Sequence, residues 1–384
     1  MKKIIVSVTN DLVTDQRVHK VCMTLHNAGY EVLLVGRKLR TSEALSRVYQ
    51  THRMKLIFNR KAFFYLEYNL RLFSYLLLSR ADIFLSNDTD SLPANYCASV
   101  FRKKPLIFDA HEMFPEVPEL VGRPFIKNIW KKLEDWIFPH LKYCYTVCSS
   151  IAEIYSERYG IRMQVVRNVP FAAIPQNHAT IDLAADGKKV LLYQGAVNVG
   201  RGIEWMIDAM PYLDDCIFYI IGNGDVMRGM QEKVEKLGLT DKVRFLGKVP
   251  LEDLAAYTSQ ADIGLVLLEN KGLNYYYSLP NRIFDFIQAN VPVLASDFPE
   301  IRKIITEYPV GKLIRDYAPQ QLATSIREIL SNSEHLCFTK ASIDFTWEKE
   351  SEIILQILEN ISLDTAKKSH AITVEQQQTR MFPQ

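Results

Sequence analysis

Leu191-Leu192-Tyr193-Gln194-Gly195-Ala196-Val197-Asn198-Val199-Gly200-Arg201-Gly202-Ile203-Glu204 is the stretch on which the fold turns. An apolar run of strand length enters a glycine-rich loop, and a helical pattern follows at once. Gly195, Gly200 and Gly202 let a backbone approach a phosphate closely, and the helix that follows offers free N–H groups and the positive end of its dipole. Arg201 adds a planar donor fork for phosphate oxygens. On this segment alone, a tight turn with a surface arginine fits equally well.

The same grammar extends in both directions. Upstream, Ile4–Val8, Glu31–Val35, Ile83–Ser86, Leu106–Phe108 and Tyr145–Val147 read as strands. Arg17–Ala28 reads as a helix stopped by Gly29. Downstream, Ile217–Ile221, Val243–Leu246, Ile263–Leu267 and Val293–Ala295 continue the alternation after the helix Ile203–Met210. Short buried strands alternating with amphipathic helices predict an α/β class of doubly wound parallel sheets. With 384 residues the chain has room for two cores. The expected domains are 1–172 and 187–332, joined by a linker at 172–188. Helices at 333–363 are expected to follow, with a polar tail at 366–384 that should lack structure. A ligand cleft is expected between the carboxyl ends of the two sheets.

Composition narrows the function. A net charge of +2 gives no global field for nucleic acid. The six cysteines are scattered, with no C-x-x-C pair, which suits reduced thiols in the cytoplasm. The greasy region from Phe63 to Leu78 is broken by Glu67, Asn69 and Arg71 and should not span a bilayer. Two stretches, 58–80 and 125–141, are nonetheless basic and amphipathic. The second places Ile126, Ile129, Trp130, Leu133 and Ile137 at helical spacing beside Lys127, Lys131 and Lys132. Such helices either lie on a membrane surface or pack into the first domain; peripheral membrane contact is the expectation taken here.

Two further segments sit at strand ends. Gly222-Asn223-Gly224 permits a tight approach to a base or ribose. Tyr277-Ser278-Leu279-Pro280-Asn281-Arg282 leads into a helix with Pro280 near its first position. A cation in that first turn opposes the dipole, so Arg282 suggests an anionic ligand. Asp285, one turn on, either accepts hydrogen bonds from a ribose diol or balances Arg282. Asn87-Asp88-Thr89-Asp90 has the spacing of a metal-binding D-x-D, but it precedes a helix start, and an N-capping loop is expected instead.

In combination and order, these segments resemble glycosyltransferase family 4, of the two-domain GT-B type. The resemblance implies a retaining transferase that uses a nucleoside-diphosphate sugar as donor, with no metal or other cofactor. It implies a glycan or lipid-linked acceptor. Arg201 and Arg282 match the family's basic pair on the diphosphate, and Ala196, where many relatives have arginine, throws more of that charge onto Arg201. His111, in Asp109-Ala110-His111-Glu112, matches the active-site histidine and is expected to hydrogen-bond the donor sugar. Asp285 stands for the second glutamate of the E-x7-E motif, whereas Tyr277 replaces the first, so backbone near Ser278 or another side chain must hold the sugar. Thr14-Asp15-Gln16-Arg17-Val18 resembles the acceptor-side loop, and Asp90 and Glu112 are expected to line that side. Arg167–Pro170 resembles the end of the first domain, and Phe345–Glu348 the start of a helix that crosses back to it. The competing readings are a sugar-nucleotide 2-epimerase of the same fold and a non-catalytic scaffold subunit, the latter favoured by Tyr277.

Overall fold

The computed structural model describes residues 1–13, 15–117, 120–172, 182–183 and 187–381. Thr14 and most of the expected linker lie outside them. Two all-parallel sheets organise the chain. The first has seven strands: β1 (Lys3–Asp11), β2 (Glu31–Lys38), β3 (Gln50–Lys55), β4 (Ile83–Asn87), β5 (Leu106–Ala110), β6 (Tyr143–Thr146) and β7 (Met163–Val165), in the order β3-β2-β1-β4-β5-β6-β7. The second has six: β8 (Lys189–Gln194), β9 (Cys216–Ile221), β10 (Val243–Gly247), β11 (Ile263–Val266), β12 (Val293–Ser296) and β13 (Gly311–Ile314), in the order β10-β9-β8-β11-β12-β13. Both reverse direction beside their first strand, which places the ligand crevice there.

Helices of the first unit are α1 (Gln16–Asn27), α2 (Lys61–Leu78), α3 (Asp88–Arg102), α4 (Pro124–Ile137) and α5 (Ser149–Tyr159). The second unit adds α6 (Ile203–Ala209), α7 (Met227–Lys236), α8 (Leu251–Thr258), α9 (Leu273–Tyr276), α10 (Arg282–Gln288), α11 (Pro299–Glu307) and α12 (Pro319–Ser331). The chain ends in α13 (Thr339–Asp344) and α14 (Trp347–Met381). Strands buried on both faces serve two cores at once. Leu191, Tyr193, Phe218 and Ile220 pack with Ile203, Met206 and Ile326 on one side of the second sheet. Their alternate neighbours Val190, Leu192, Ile217 and Tyr219 face a second cluster, shared with the first unit and with α14.

The chain crosses between the units twice, and the crossings are bonded to each other. The Trp347 N–H donates to the Pro170 carbonyl (2.7 Å), and Glu350 takes both the backbone N–H of Arg167 (2.7 Å) and its guanidinium (2.8 Å). Ile354, Ile357, Leu358 and Ile361 then bury one stripe of α14 against the first unit. Helix α14 continues through 366–381, where the polar composition led us to expect no structure; alanine, lysine, glutamate and glutamine are strong helix formers, which accounts for the difference. Residues 382–384 lie outside the described residues.

Trp347 is 2% exposed, donates its indole N–H to Thr24 Oγ1 (3.0 Å), and lies under the Lys20 ammonium at 4.9 Å. Trp347→Ala should therefore lower the unfolding free energy by about 3–5 kcal/mol, as urea titration would show. A loss no larger than that of an exposed substitution would mean the crossing is held elsewhere.

Candidate functional site

On the first unit the site begins at the carboxyl ends of β4 and β5. Asp109 closes β5 and is fully buried. Arg17 of α1 grips it with Nε (3.0 Å) and Nη2 (2.8 Å) and gives Nη1 to the Val166 carbonyl (2.9 Å). His111 follows two residues later. Its Nε2 lies 3.1 Å from Asp109 and its Nδ1 lies 3.2 Å from Asp88, which also accepts the His111 backbone N–H (2.8 Å). Burial pushes the imidazole down, but the two carboxylates outweigh it and raise its pKa to about 9. Burial likewise works to raise Asp109, yet Arg17 and His111 hold it at about 2. The two carboxylates thus favour the charged imidazole, and Nε2, though 3.1 Å from Asp109, has no hydrogen-bond partner of good geometry among the described residues.

Asp88 corrects the reading of the D-x-D stretch. No side chain of that loop caps α3, and Asp88 is the first helical residue with φ +59°. A non-glycine residue there costs of order 1–3 kcal/mol, and the carboxylate so placed reaches His111. Burial lifts Asp88 and Asp90 to about 7. Asp90 accepts from Thr9 Oγ1 (2.5 Å), and its other oxygen has no partner among the described residues. Beneath them Glu134, fully buried on α4, takes the hydroxyl of Tyr155 (3.1 Å) and is pushed up to about 7.

The remaining acceptor-side expectations divide. Asp15 is the N-cap of α1, accepting the Val18 N–H (3.1 Å) and the Asn10 amide (3.0 Å). Arg17 is 4% exposed with its donors committed, so it is a structural residue rather than one that meets an acceptor. Glu112 points across to the second unit, where it accepts from Asn274 Nδ2 (3.1 Å) while Asn274 Oδ1 takes the Met113 N–H (3.0 Å).

On the second unit the loops at the ends of β8 and β9 are built into each other. The Gly195 and Val197 N–H groups donate to the carbonyls of Ile221 (2.9 Å) and Asn223 (3.0 Å). Gly222 has φ +139°, and a Cβ there would stand 1.8 Å from the Gly195 oxygen; only glycine permits that crossing. Gly224 and the Asn223 amide serve the same junction, through Val197 and the Gly224 N–H. These residues approach the neighbouring loop, where the sequence suggested approach to a base or ribose. Gly200 accepts the Glu269 N–H, and Gly202, with φ +71°, opens α6 against Leu267.

Arg282 is the first residue of α10, and Pro280 precedes that helix by two positions instead of lying at its start. The guanidinium is 8% exposed, and among the described residues its hydrogen-bond partners are neutral: Nε on the Leu265 carbonyl (3.1 Å), Nη2 on that of Leu267 and Nη1 on the Tyr193 hydroxyl (both 3.5 Å). It lies 4.6 Å from the Tyr193 ring. Burial lowers its pKa, with the charge of Arg201 acting in the same direction. Arg201 in turn rests 4.8 Å from the Tyr275 ring. Asp285 does not balance Arg282 directly; Gln194 donates to it (3.0 Å) and Thr258 donates to Gln194 (2.8 Å). Burial pushes Asp285 up to about 6, against that hydrogen bond and the charges of Lys20 and Arg282.

Between the two halves lies α9. Asn274 receives the loop of His111, and the next residue supports Arg201. The Cys148 thiol donates to the Tyr277 carbonyl (3.2 Å), the Ser278 hydroxyl donates to the Tyr275 carbonyl (2.8 Å), and Leu279 is buried while Asn281 is exposed. Asn274 and Lys20 were not singled out from the sequence, and Asp88 was read there only as part of a capping loop. Lys20 donates to the Val169 carbonyl (2.6 Å), and burial lowers its ammonium to about 7, with Asp285 opposing from the second unit.

Comparison with known proteins agrees with this architecture. The family described as Glycosyltransferase Family 4 matches residues 15–170, and that described as Glycosyl transferases group 1 matches 188–332. The chain is similar to alpha-D-kanosaminyltransferase of Streptomyces kanamyceticus, 24% identical over 39% of this chain and 38% of that protein. It is similar to the phosphatidyl-myo-inositol mannosyltransferase of Mycobacterium leprae, 27% identical over 38% of each. The matched part thus spans well under half the length of either relative. Among solved structures, HepE of Anabaena in complex with UDP and glucose superposes with a TM-score of 0.71 at 13% identity, over 94% of this chain and 100% of that one; that likeness is one of fold.

The His111 ring should titrate near 9 by NMR, and Asp88→Asn should lower that midpoint. Because the folded value exceeds the unfolded one of about 6.5, the stability that His111 contributes is full below about 6.5 and is lost as pH rises through 9. The stability difference between parent and His111→Gln should shrink over that interval. A midpoint near 6.5 in the parent would show that the carboxylate clamp does not form.

Proposed function

We propose that this chain, which belongs to glycosyltransferase family 4, transfers a glycosyl group from a nucleoside-diphosphate sugar to an acceptor hydroxyl with retention of anomeric configuration. The observation that carries this is the pair Arg201 and Arg282. Two cations come from loops at the strand ends of the second unit, the charge of one acting on the other, and the buried one has no carboxylate partner among the described residues. Burying a charge without a counter-ion is costly, and a diphosphate supplies the missing anion. A planar guanidinium grips phosphate oxygens two at a time, so the site needs no metal or other cofactor in this reading.

The chemistry follows from where charge develops. As the bond between C1 and the diphosphate oxygen breaks, negative charge grows on the leaving group, and the two guanidiniums stabilise it more in the transition state than in the ground state. The acceptor oxygen then bonds to C1 on the same face, and its proton passes to the departing diphosphate. The acceptor is a glycan or a lipid-linked glycan, as the name of the mannosyltransferase relative suggests, in cell-surface polysaccharide or glycolipid assembly at the cytoplasmic face of the membrane. Reduced cysteines fit that compartment, and all six are free. No helix among the described residues is long and apolar enough to cross a membrane. A scaffold role is the second reading, favoured by Tyr277 in place of a carboxylate. Slow hydrolysis of one member of a panel of sugar nucleotides would decide for catalysis.

Arg201→Ala and Arg282→Ala should each lower kcat/KM about ten- to a hundredfold, given roughly 1.5–3 kcal/mol for a charge-assisted hydrogen bond. The loss should fall more on kcat than on donor binding. Arg282→Ala should also lower the melting temperature, because the Leu265 carbonyl loses its donor, whereas ligand-free Arg201→Ala should not. Near-parental turnover in both variants would sink the diphosphate site.

A further inference from the structure

The start of α5, in the first unit, is gripped by the second unit at two points. Cys148 is the N-cap of α5, but its side chain does not cap that helix. The thiol donates instead to the Tyr277 carbonyl of the second unit (3.2 Å). Burial pushes the thiol up to about 12, so it keeps its proton and remains a donor. The missing cap comes from Glu300, in the first turn of α11 and 4% exposed. One of its oxygens accepts from the Ser150 N–H (2.9 Å), the Ser150 hydroxyl (2.6 Å) and the Ser149 hydroxyl (2.9 Å). A carboxylate at a helix N-terminus is favoured by the free N–H groups and by the dipole. Burial works to raise the Glu300 pKa, but hydrogen bonds from Lys303 and the two serines outweigh it and leave it lowered.

Both grips bear on the segment that leads to Arg282. Tyr276 packs on Phe298 at 5.3 Å, two residues before Glu300, and Tyr277 packs on Tyr276 at 5.1 Å. The segment is therefore carried on the same stretch of chain whose carboxylate holds α5. A thiol is a weak donor, so the Cys148 contact adds little to the adhesion of the two units. What it fixes is direction. A peptide group is planar, so a carbonyl held by Cys148 sets the plane between Tyr277 and Ser278 from outside its own unit. The Ser278 N–H turns back to the Tyr275 carbonyl (3.2 Å), and the next N–H, that of Leu279, has no acceptor among the described residues. An N–H left open in this way can serve a ligand oxygen. Tyr277 brings no carboxylate to grip a hydroxyl, so the donors of the adjoining backbone must be aimed by something else.

We propose that Cys148 and Glu300 are positioning residues for the donor sugar: the start of α5, held by Glu300, fixes the Tyr277 carbonyl so that the Leu279 N–H meets a sugar hydroxyl in place of an acidic side chain. This rests on the transferase reading of the site. The test compares a sugar nucleotide with its free nucleoside diphosphate by calorimetry on the full chain. UDP, GDP and ADP are paired with UDP-glucose, GDP-mannose and ADP-glucose, and the tightest-binding pair is used. Cys148→Ala and Glu300→Ala should each weaken the sugar form about three- to tenfold and leave the diphosphate within about twofold. Cys148→Ser keeps a donor and should restore the affinity for the sugar form. A second readout needs no nucleotide: alkylation by iodoacetamide, located by mass spectrometry. Cys148 should be protected in the parent while the exposed Cys337 reacts, and Glu300→Ala should speed its labelling about tenfold. The small truncation at Cys148 keeps the test open if Glu300→Ala fails to fold. Equal losses for the sugar form and the diphosphate would make both residues merely structural and overturn the proposal. Unchanged affinity for the sugar form in both variants, or labelling of Cys148 in the parent as fast as that of Cys337, would do the same. Protection of Cys148 with no binding by any pair would overturn the transferase reading instead.

Discussion

The carboxylate of Asp109 is the constraint around which the first unit is arranged. A charge with no exposure must be matched by charge and hydrogen bonds, or it is not retained. Here the match comes from two places: Arg17 on α1, which also holds the Val166 carbonyl just beyond β7, and His111 from the loop after β5. Such a cluster adds little net stability compared with apolar packing. Its effect is selective, because only one placement of α1 and one course of the 110–113 loop satisfies every donor. Asp88, strained into left-handed backbone, closes the other side of His111.

The second unit handles charge the opposite way. In the first, cations at the cleft end are neutralised internally, Arg17 by Asp109 and His111 by two acids. In the second, Arg282 is buried among carbonyls and a phenol with Arg201 nearby, and Asp285 spends its hydrogen bond on Gln194. One unit is electrostatically closed and the other open to an anion. That asymmetry separates the two roles more firmly than strand order does, since both sheets have the same doubly wound plan.

What the sequence displayed was what local physics fixes. Strands buried on both faces, such as Ile4–Val8 and Ile217–Ile221, are apolar throughout and were legible. Three of the four edge strands, β3, β7 and β13, were not, whereas the fourth, β10, was; Gln50–Lys55 reads Gln-Thr-His-Arg-Met-Lys and has a neighbour on one side only. The glycine loops and both arginines were legible because strand, loop and helix are contiguous there. Arg17 was assigned to the acceptor because its partner stands 92 positions away in the sequence. Asp88 was hidden by a cap-like context, and its left-handed backbone has no signature in aspartate. On α4 both stripes are apolar, so periodicity could not say which faces inward, and the face taken for the surface supplied Trp130 and Ile137 to the core.

Among the described residues the two units meet through polar contacts in two places: Glu300 of α11 accepts from the Ser149 hydroxyl (2.9 Å), the Ser150 N–H (2.9 Å) and the Ser150 hydroxyl (2.6 Å) at the start of α5, and the Asn274 amide meets the His111 loop. Asn274 accepts from the Met113 N–H with Oδ1 and donates to Glu112 with Nδ2, so its orientation is set by both partners. Tyr275 follows on the same turn, and Arg201 lies on its ring. The position of a cation in the second unit is therefore linked through two consecutive residues to the loop that Asp88 and Asp109 hold in the first. Shifting the units against each other would break the amide contacts before disturbing either sheet. The parts that must move together are thus the His111 loop, α9 and the Arg201 loop on one side and the starts of α5 and α11 on the other, and the sheets remain the frame on which they are carried.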